Sequence, residues 1–210
     1  FLVLCDVRAR KVARQPVWRF GSPSYNEGAL WQPKSEGNAV SRSDRIRISQ
    51  RIREAEGYLE LGMARNALDT LARIDDAGTS RGQLRYLQGL AYRELAQHRE
   101  AIGPLRDATD AMPSNLGTWI ALAWCLKRCG QLSLAVDKLR EAKEFHEDEP
   151  LVDYNLACYY SLEGQKPLAI VHLAAAIESD PTYRDLVHDE PDFDPLRSDP
   201  NFLAITSVIV

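Results

Sequence analysis

Residues 48–181 repeat one pattern every 34 residues, and this period constrains the fold more than any other feature of the sequence. Seven columns of similar residues continue through four consecutive units without a gap. A fixed period of this length is typical of helix–turn–helix units stacked into an array. Three of the columns, which hold a turn residue, a small residue and a large apolar residue, are Gly62, Ala96, Gly130, Gly164; Ala67, Ala101, Ala135, Ala169; and Leu71, Leu105, Leu139, Leu173.

Each unit is predicted to hold two helices joined by a short turn. Glycine in the turn column suits the left-handed residue that ends many helices. The small columns allow the two helices to approach closely, and the large apolar columns fill the space between them. Pro113 and Pro181 predict where the second helix stops, and Thr79 and Glu147 are weaker stops at the same place. Because one helix pair buries only one face, neighbouring pairs must stack.

These columns resemble the tetratricopeptide repeat (TPR), a helix–turn–helix unit. The resemblance implies an all-α, right-handed α-solenoid of four helix pairs, but it says little about function. It predicts TPR units at about residues 48–81, 82–115, 116–149 and 150–183. The predicted regions are an irregular N-terminal arm at 1–45, the repeats at 46–181, and a C-terminal cap with an apolar tail at 182–210.

Residues 192–202 resemble the closing segment that comes after the repeats in many bacterial TPR proteins, the TPR end-of-group type. The resemblance implies a short capping helix on the last repeat, which would cover its exposed apolar face. Asp192 and Asp199 are predicted to accept backbone N–H groups in turns, rather than to form a metal or acid–base site. The apolar tail and Phe1–Leu4 either fold back on the chain or join copies head to tail.

The N-terminal arm is basic, whereas the remainder of the chain is acidic. Residues 1–53 hold eleven Lys or Arg and four Asp or Glu residues. The net charge of −4 argues against a nucleic-acid partner. We expect the arm to pack against a protein surface, in cis or on another copy, because prolines deny it regular structure and its aromatic residues favour burial. The expected anchors are Trp18, Phe20, Tyr25 and Trp31.

The TPR resemblance implies that the first helix of each unit lines a concave groove that binds protein. Placing the sequence on that geometry predicts a groove with aromatic and aliphatic side chains and two cations. The paired Asn and Lys residues with which some TPR proteins grip a C-terminal carboxylate are absent, so a more apolar ligand is expected. The predicted groove residues are Ile52, Tyr86, Leu90, Arg93, Ile120, Trp124, Lys127 and Tyr154.

No sequence motif indicates catalysis, a metal or a cofactor. Cys125 and Cys129 share one helix face, but no further ligands lie near them in sequence, so they are predicted to be core residues. No run of about 18 apolar residues is present to span a membrane. A cytoplasmic location is favoured, and the start at Phe1 leads us to expect a truncated chain or a removed targeting segment.

The leading functional hypothesis is a non-catalytic scaffold or adaptor, held in a stable assembly through its groove and arm. One alternative is a structural subunit that forms homo-oligomers or filaments through its arm and tail. Another is the accessory TPR region of a longer enzyme or signalling protein. The partners are therefore expected to be other proteins or copies of the chain.

Overall fold

The computed structural model describes residues 41–207, and these residues form helices joined by short turns, with no strand. The α-helices are α1 Arg42–Glu60, α2 Ala64–Leu71, α3 Arg81–Glu94, α4 His98–Ala111, α5 Leu116–Arg128, α6 Leu132–Phe145, α7 Pro150–Leu162, α8 Lys166–Ser179, α9 Thr182–Val187 and α10 Pro200–Thr206. Short 3-10 helices lie at Gly78–Ser80 and Pro191–Leu196. The first four residues of α1 fall in the range predicted for the arm.

Helices α1 to α8 pack as four consecutive pairs, and each pair packs against the next, as expected of an all-α solenoid. The pairs can approach closely because small residues lie at their crossing points. A Cβ atom added at Gly89 would lie 2.4 Å from Cγ of Leu105, so the second unit requires glycine there. Ala55, Ala123 and Ala157 occupy the equivalent position in the other units and are fully buried.

The turn between the helices of each pair has the predicted left-handed residue. Gly62, Gly130 and Gly164 have φ angles of 72°, 75° and 75°, and Ala96 has a φ angle of 57°. In the second unit the N–H of Gln97 donates to the carbonyl of Tyr92 at 2.9 Å, a bond typical of this helix ending. Ala96 is the only residue other than glycine with a positive φ angle among those described.

The core forms two clusters that differ in size. The larger extends from Ala101 to Phe202 and includes the last three units and the C-terminal segment. The smaller extends from Ile48 to Ala91 and joins the first unit to the second. Helix α2 has eight residues, against fourteen in α4, α6 and α8, which leaves less apolar surface to bury in the first unit.

Residues 182–206 cap the last repeat, and we call them the closing segment. Phe193, Leu196 and Phe202 are buried in it. The guanidinium of Arg197 donates to the carbonyls of Val187, His188 and Glu190 at 3.2, 2.9 and 3.1 Å, which fixes the loop between α9 and α10. Asp199 has the predicted capping role, because its carboxylate accepts the N–H groups of Asn201 and Phe202 at the start of α10.

Candidate functional site

The first helices of the units carry the predicted groove residues, which differ widely in exposure. Tyr86, Leu90 and Arg93 on α3 and Trp124 on α5 are partly exposed. Ile52 on α1, Ile120 on α5 and Tyr154 on α7 are buried, with 2%, 7% and 3% of their surfaces exposed. Side chains of α3 and α5 therefore offer most of the surface that a ligand could contact.

Trp124 is the centre of this open surface, and three basic side chains surround its ring. The guanidinium carbons of Arg93 and Arg128 lie 5.9 and 5.6 Å from the ring centroid. The His98 ring meets Trp124 edge-on, with centroids 4.9 Å apart. Such cation–π contacts hold the indole in place and each contribute about 0.5–1 kcal/mol at exposed sites. The result is an aromatic platform with positive charge on two sides.

The repeat pattern does not indicate Arg128 or His98 as groove residues. Arg128 directly follows Lys127, so it lies on a neighbouring strip of the same helix, outside the predicted groove positions. His98 begins the second helix of the previous unit, and only packing of the units brings it to Trp124. A scan for groove positions on first helices misses both residues.

The N-terminal edge of the groove carries the opposite charge. Glu56 on α1 accepts a hydrogen bond from Nε2 of Gln83 on α3, at 2.8 Å. Burial raises the pKa of the Glu56 carboxyl, and the Gln83 hydrogen bond opposes that change. Burial also raises the pKa of the Tyr86 hydroxyl. The groove thus runs from a carboxylate on α1 to the arginines beside Trp124.

The closing segment covers the groove at the fourth unit. The 3-10 helix Pro191–Leu196 packs against α7. The Phe193 ring meets the Tyr154 ring edge-on with centroids 5.6 Å apart, and the Tyr183 ring centroid lies 5.0 Å from that of Tyr154. Tyr154 is consequently held inside the fold rather than facing solvent.

Asp192 departs from the prediction that it serves as a turn acceptor. Its carboxylate forms an ion pair with the Lys127 ammonium, and both side chains are largely buried. Within the turn it is the carboxylate of Glu190 that accepts, from the N–H of Asp192 at 3.2 Å. The difference arises because the closing segment folds back over α7, which brings Asp192 to Lys127, a predicted groove residue of the third unit.

A polar cluster around the buried Asp153 carboxylate also joins the last two units. The Asp153 carboxylate on α7 accepts hydrogen bonds from Lys143 Nζ on α6 at 2.8 and 2.9 Å, and it lies 2.8 Å from His172 Nδ1 on α8. Burial acts to raise the pKa of Asp153, but the hydrogen bonds from His172 and Lys143 outweigh it and hold that pKa below its ordinary value. Each group has a structural partner, so the cluster connects three helices.

Of the two cysteines predicted to be core residues, Cys125 is fully buried, whereas Cys129 packs against the core and is only partly buried. Burial raises the pKa of the Cys125 thiol to about 12, which leaves almost no thiolate at neutral pH. Cys158 is fully buried and Cys129 is partly buried. Within residues 41–207 no group of three or more His, Cys, Asp or Glu side chains is placed to hold a metal ion. No helix in this range is long and apolar enough to cross a membrane.

The predicted arm anchors Trp18, Phe20, Tyr25 and Trp31 lie outside the described residues, so arm packing stays a prediction. Use of the groove residues by a partner also stays a prediction. Within the described region, the structure brings together Tyr86, Leu90, Arg93, Ile120 and Trp124 on α3 and α5. Lys127 and Tyr154 belong instead to the part covered by the closing segment.

Comparison with solved structures identifies the architecture. YrrB, described as a TPR protein with an unusual peptide-binding site, superposes with a TM-score of 0.61 at 19% identity, over 80% of this chain and 90% of that one. The chain has the TPR fold. MamA has a TM-score of 0.61 at 14% identity, over 69% of this chain and 84% of that one.

A MamA chain from Desulfovibrio magneticus RS-1 gives a TM-score of 0.60 at 17% identity, over 70% of this chain and 81% of that one. No protein-family model matches the chain, and no curated protein sequence matches it. At these identities the likeness defines the fold alone, so function must be argued from the residues of this TPR groove.

Proposed function

We propose that this chain is a non-catalytic protein-interaction scaffold whose open groove, on α3 and α5, binds a segment of a partner protein. The observation that carries the proposal is Trp124, a large aromatic side chain on α5 that is left partly exposed and is held in place by Arg93, Arg128 and His98. Tryptophan and arginine are among the residues most enriched at the energetic centres of protein interfaces. YrrB, which has the same fold, is described as having an unusual peptide-binding site, and this supports peptide binding as a use of the TPR fold.

The groove fits a peptide better than a small metabolite. It is an open surface on α3 and α5 with Glu56 of α1 at its edge, and its polar groups are spread from Glu56 to Arg128 rather than gathered at one point. An extended or helical segment can place apolar side chains on Leu90 and Trp124 and satisfy the charges at both edges. We also propose that the chain is a subunit of a stable assembly, with the arm as a second contact.

The test is affinity capture of partners by the full chain from its source cells, comparing two variants. Trp124→Ala removes the platform and is expected to weaken partner binding by about 2–4 kcal/mol. Val171→Ala is the matched control, because Val171 is an exposed apolar residue on α8, outside the groove. A partner that both variants retain equally, with helical content intact, would refute the groove assignment.

Size-exclusion chromatography with light scattering then distinguishes an adaptor from a polymer. An adaptor elutes as a monomer or dimer until its partner is added. Large particles that collapse when residues 1–43 are deleted would show that copies of the chain are the partner.

A further inference from the structure

Helix α8, the second helix of the fourth unit, has an apolar face that is open to solvent. Residues 167–177, eleven consecutive positions that make up most of the helix, include no Asp, Glu, Lys or Arg. Val171 and Leu168 are 62% and 41% exposed, and Ala175 is also exposed. These three residues lie three and four positions apart, so they form one stripe along the helix. We call them the α8 stripe.

The other units do not place an apolar stripe here. The position of Val171 holds Asp69 in the first unit and Asp137 in the third, and both are exposed. The position of Ala175 holds Glu141 in the third unit. A helix that is apolar on all sides is typical of a buried helix rather than of one that faces water. The α8 stripe therefore has the character of an interface, and the fold itself does not require it.

The two ends of α8 carry charges that indicate what packs on the stripe. Lys166 is the first residue of the helix, Glu178 is close to its last, and both are exposed. Each charge is unfavourable for the dipole of its own helix, which is positive at the N-terminus and negative at the C-terminus. A second α8 packed antiparallel reverses this, because each charge then lies at the helix end of opposite sign. The uncharged stripe between the two ends complements itself.

We propose that the α8 stripe is a symmetric dimer interface and that its occupant is α8 of a second copy, packed antiparallel. Placing Lys166 at the level of Glu178 of the second copy puts the two-fold axis at position 172. Val171 then meets Val171 of the second copy across the axis. Such a contact uses the same surface on both copies, so it closes as a dimer and cannot extend into a filament. The interface lies on α8 and does not depend on the α3 and α5 groove.

Analytical ultracentrifugation of the full chain over a range of concentrations tests the interface. We expect a monomer–dimer equilibrium in the wild type. Val171→Asp should raise the dimer dissociation constant at least about a hundredfold, because the symmetric contact would bury the new carboxylate twice without a partner. Aspartate already stands at this position in the first and third units, so the variant should keep its helical content.

Ile46→Asp is the matched control. Ile46 is 54% exposed on α1, at the other end of the chain of repeats. The equivalent position before the fourth unit holds Asp148, so the fold accepts aspartate there as well. The dimer dissociation constant should be unchanged in this variant.

Cysteine cross-linking tests the antiparallel arrangement, in a chain with Cys5→Ser and Cys129→Ser that keeps only the buried cysteines. Val171→Cys in this background should form an interchain disulfide under mild oxidation. Glu178→Cys should not, because an α-helix rises 1.5 Å per residue and the two copies of position 178 would lie about 18 Å apart along the axis. That separation is too long for a disulfide.

Any of four results would overturn the inference. These are a wild type that stays monomeric at every concentration, equal dissociation constants for wild type and Val171→Asp, and equal cross-linking at positions 171 and 178. The fourth is a dimer that is lost when residues 1–40 are deleted but survives Val171→Asp, which would mean that the arm joins the copies. Partner capture with Trp124→Ala is a separate readout, so the dimer and the groove can fail independently.

Discussion

Helices α3 and α7 hold equivalent places in the second and fourth units, yet their surroundings are opposite. Every residue of α7 from Leu151 to Ser161 is buried. On α3, Tyr86, Leu90 and Arg93 remain partly exposed. The difference comes from the closing segment, which packs on α7 and does not extend to α3. The same repeat helix is thus a core element where the closing segment covers it and a partly exposed one where that segment does not reach.

The largest expected effect on stability comes from removing the Phe193 ring, which covers Tyr154 at the fourth unit. Phe193 is fully buried among Tyr154, Phe202 and the closing segment. Phe193→Ala should lower the free energy of unfolding by about 3–5 kcal/mol, because it removes apolar contacts and leaves a cavity. Urea denaturation monitored by circular dichroism measures this loss.

Leu203→Ala on α10 is the matched control, since Leu203 is 51% exposed and should change stability by less than about 0.5 kcal/mol. Equal effects of the two substitutions would show that the closing segment does not stabilise α7. The contrast between the two ends of the groove would then lose its basis.

An intermediate effect is expected from the polar cluster that fixes α7 between α6 and α8. Asp153→Asn should cost about 1–3 kcal/mol at neutral pH, because it removes the charge from hydrogen bonds with Lys143 and His172. The pKa of Asp153 is lower in the folded chain than its ordinary value of 3.8. The contribution of ionised Asp153 to the free energy of unfolding is therefore complete above that value and is lost as the pH falls through the folded pKa.

Urea denaturation of wild type and Asp153→Asn between about pH 7 and about pH 2.5 tests this dependence. The two unfolding free energies should converge at the acid end of the series. Asp137→Asn is the control, because Asp137 is 57% exposed and its pairing with Arg140 at 3.9 Å is loose. A gap between wild type and Asp153→Asn that stays constant down to the acid end would contradict the assignment.

The smallest effect on stability concerns the turn of the second unit, where Ala96 is strained at its φ angle of 57°. Ala96→Gly should raise the stability by about 0.5–1 kcal/mol, since relief of the left-handed conformation exceeds the entropy that glycine loses on folding. The reverse change, Gly130→Ala, should lower it by about 1 kcal/mol through backbone strain. A Cβ atom at Gly130 would meet nothing within 4 Å, so steric clash does not complicate the comparison. Thermal melts of the two variants should shift in opposite directions.

Much of the fold was predictable because a repeat constrains many residues at once. The turn column predicted the left-handed residues, including the substitution of alanine at position 96, from local backbone preference alone. The leucine column predicted the core positions Leu71, Leu105, Leu139 and Leu173, all at most 1% exposed. The groove was predicted less well, because Tyr154 has the sequence character of a groove residue and lies beneath Phe193. Column position gives the direction of a side chain on its helix but not what covers it.

The sequence by itself determined the architecture: the period, the helix pairs, the left-handed turns and the need for a cap. These depend on short-range preferences and on the apolar face that each unit leaves for its neighbour. Only the tertiary structure decided which part of the groove stays open. The pairing of Asp192 with Lys127 joins residues 65 positions apart, and the meeting of His98 with Trp124 joins two units. Such contacts depend on how the chain folds back, which periodicity does not encode.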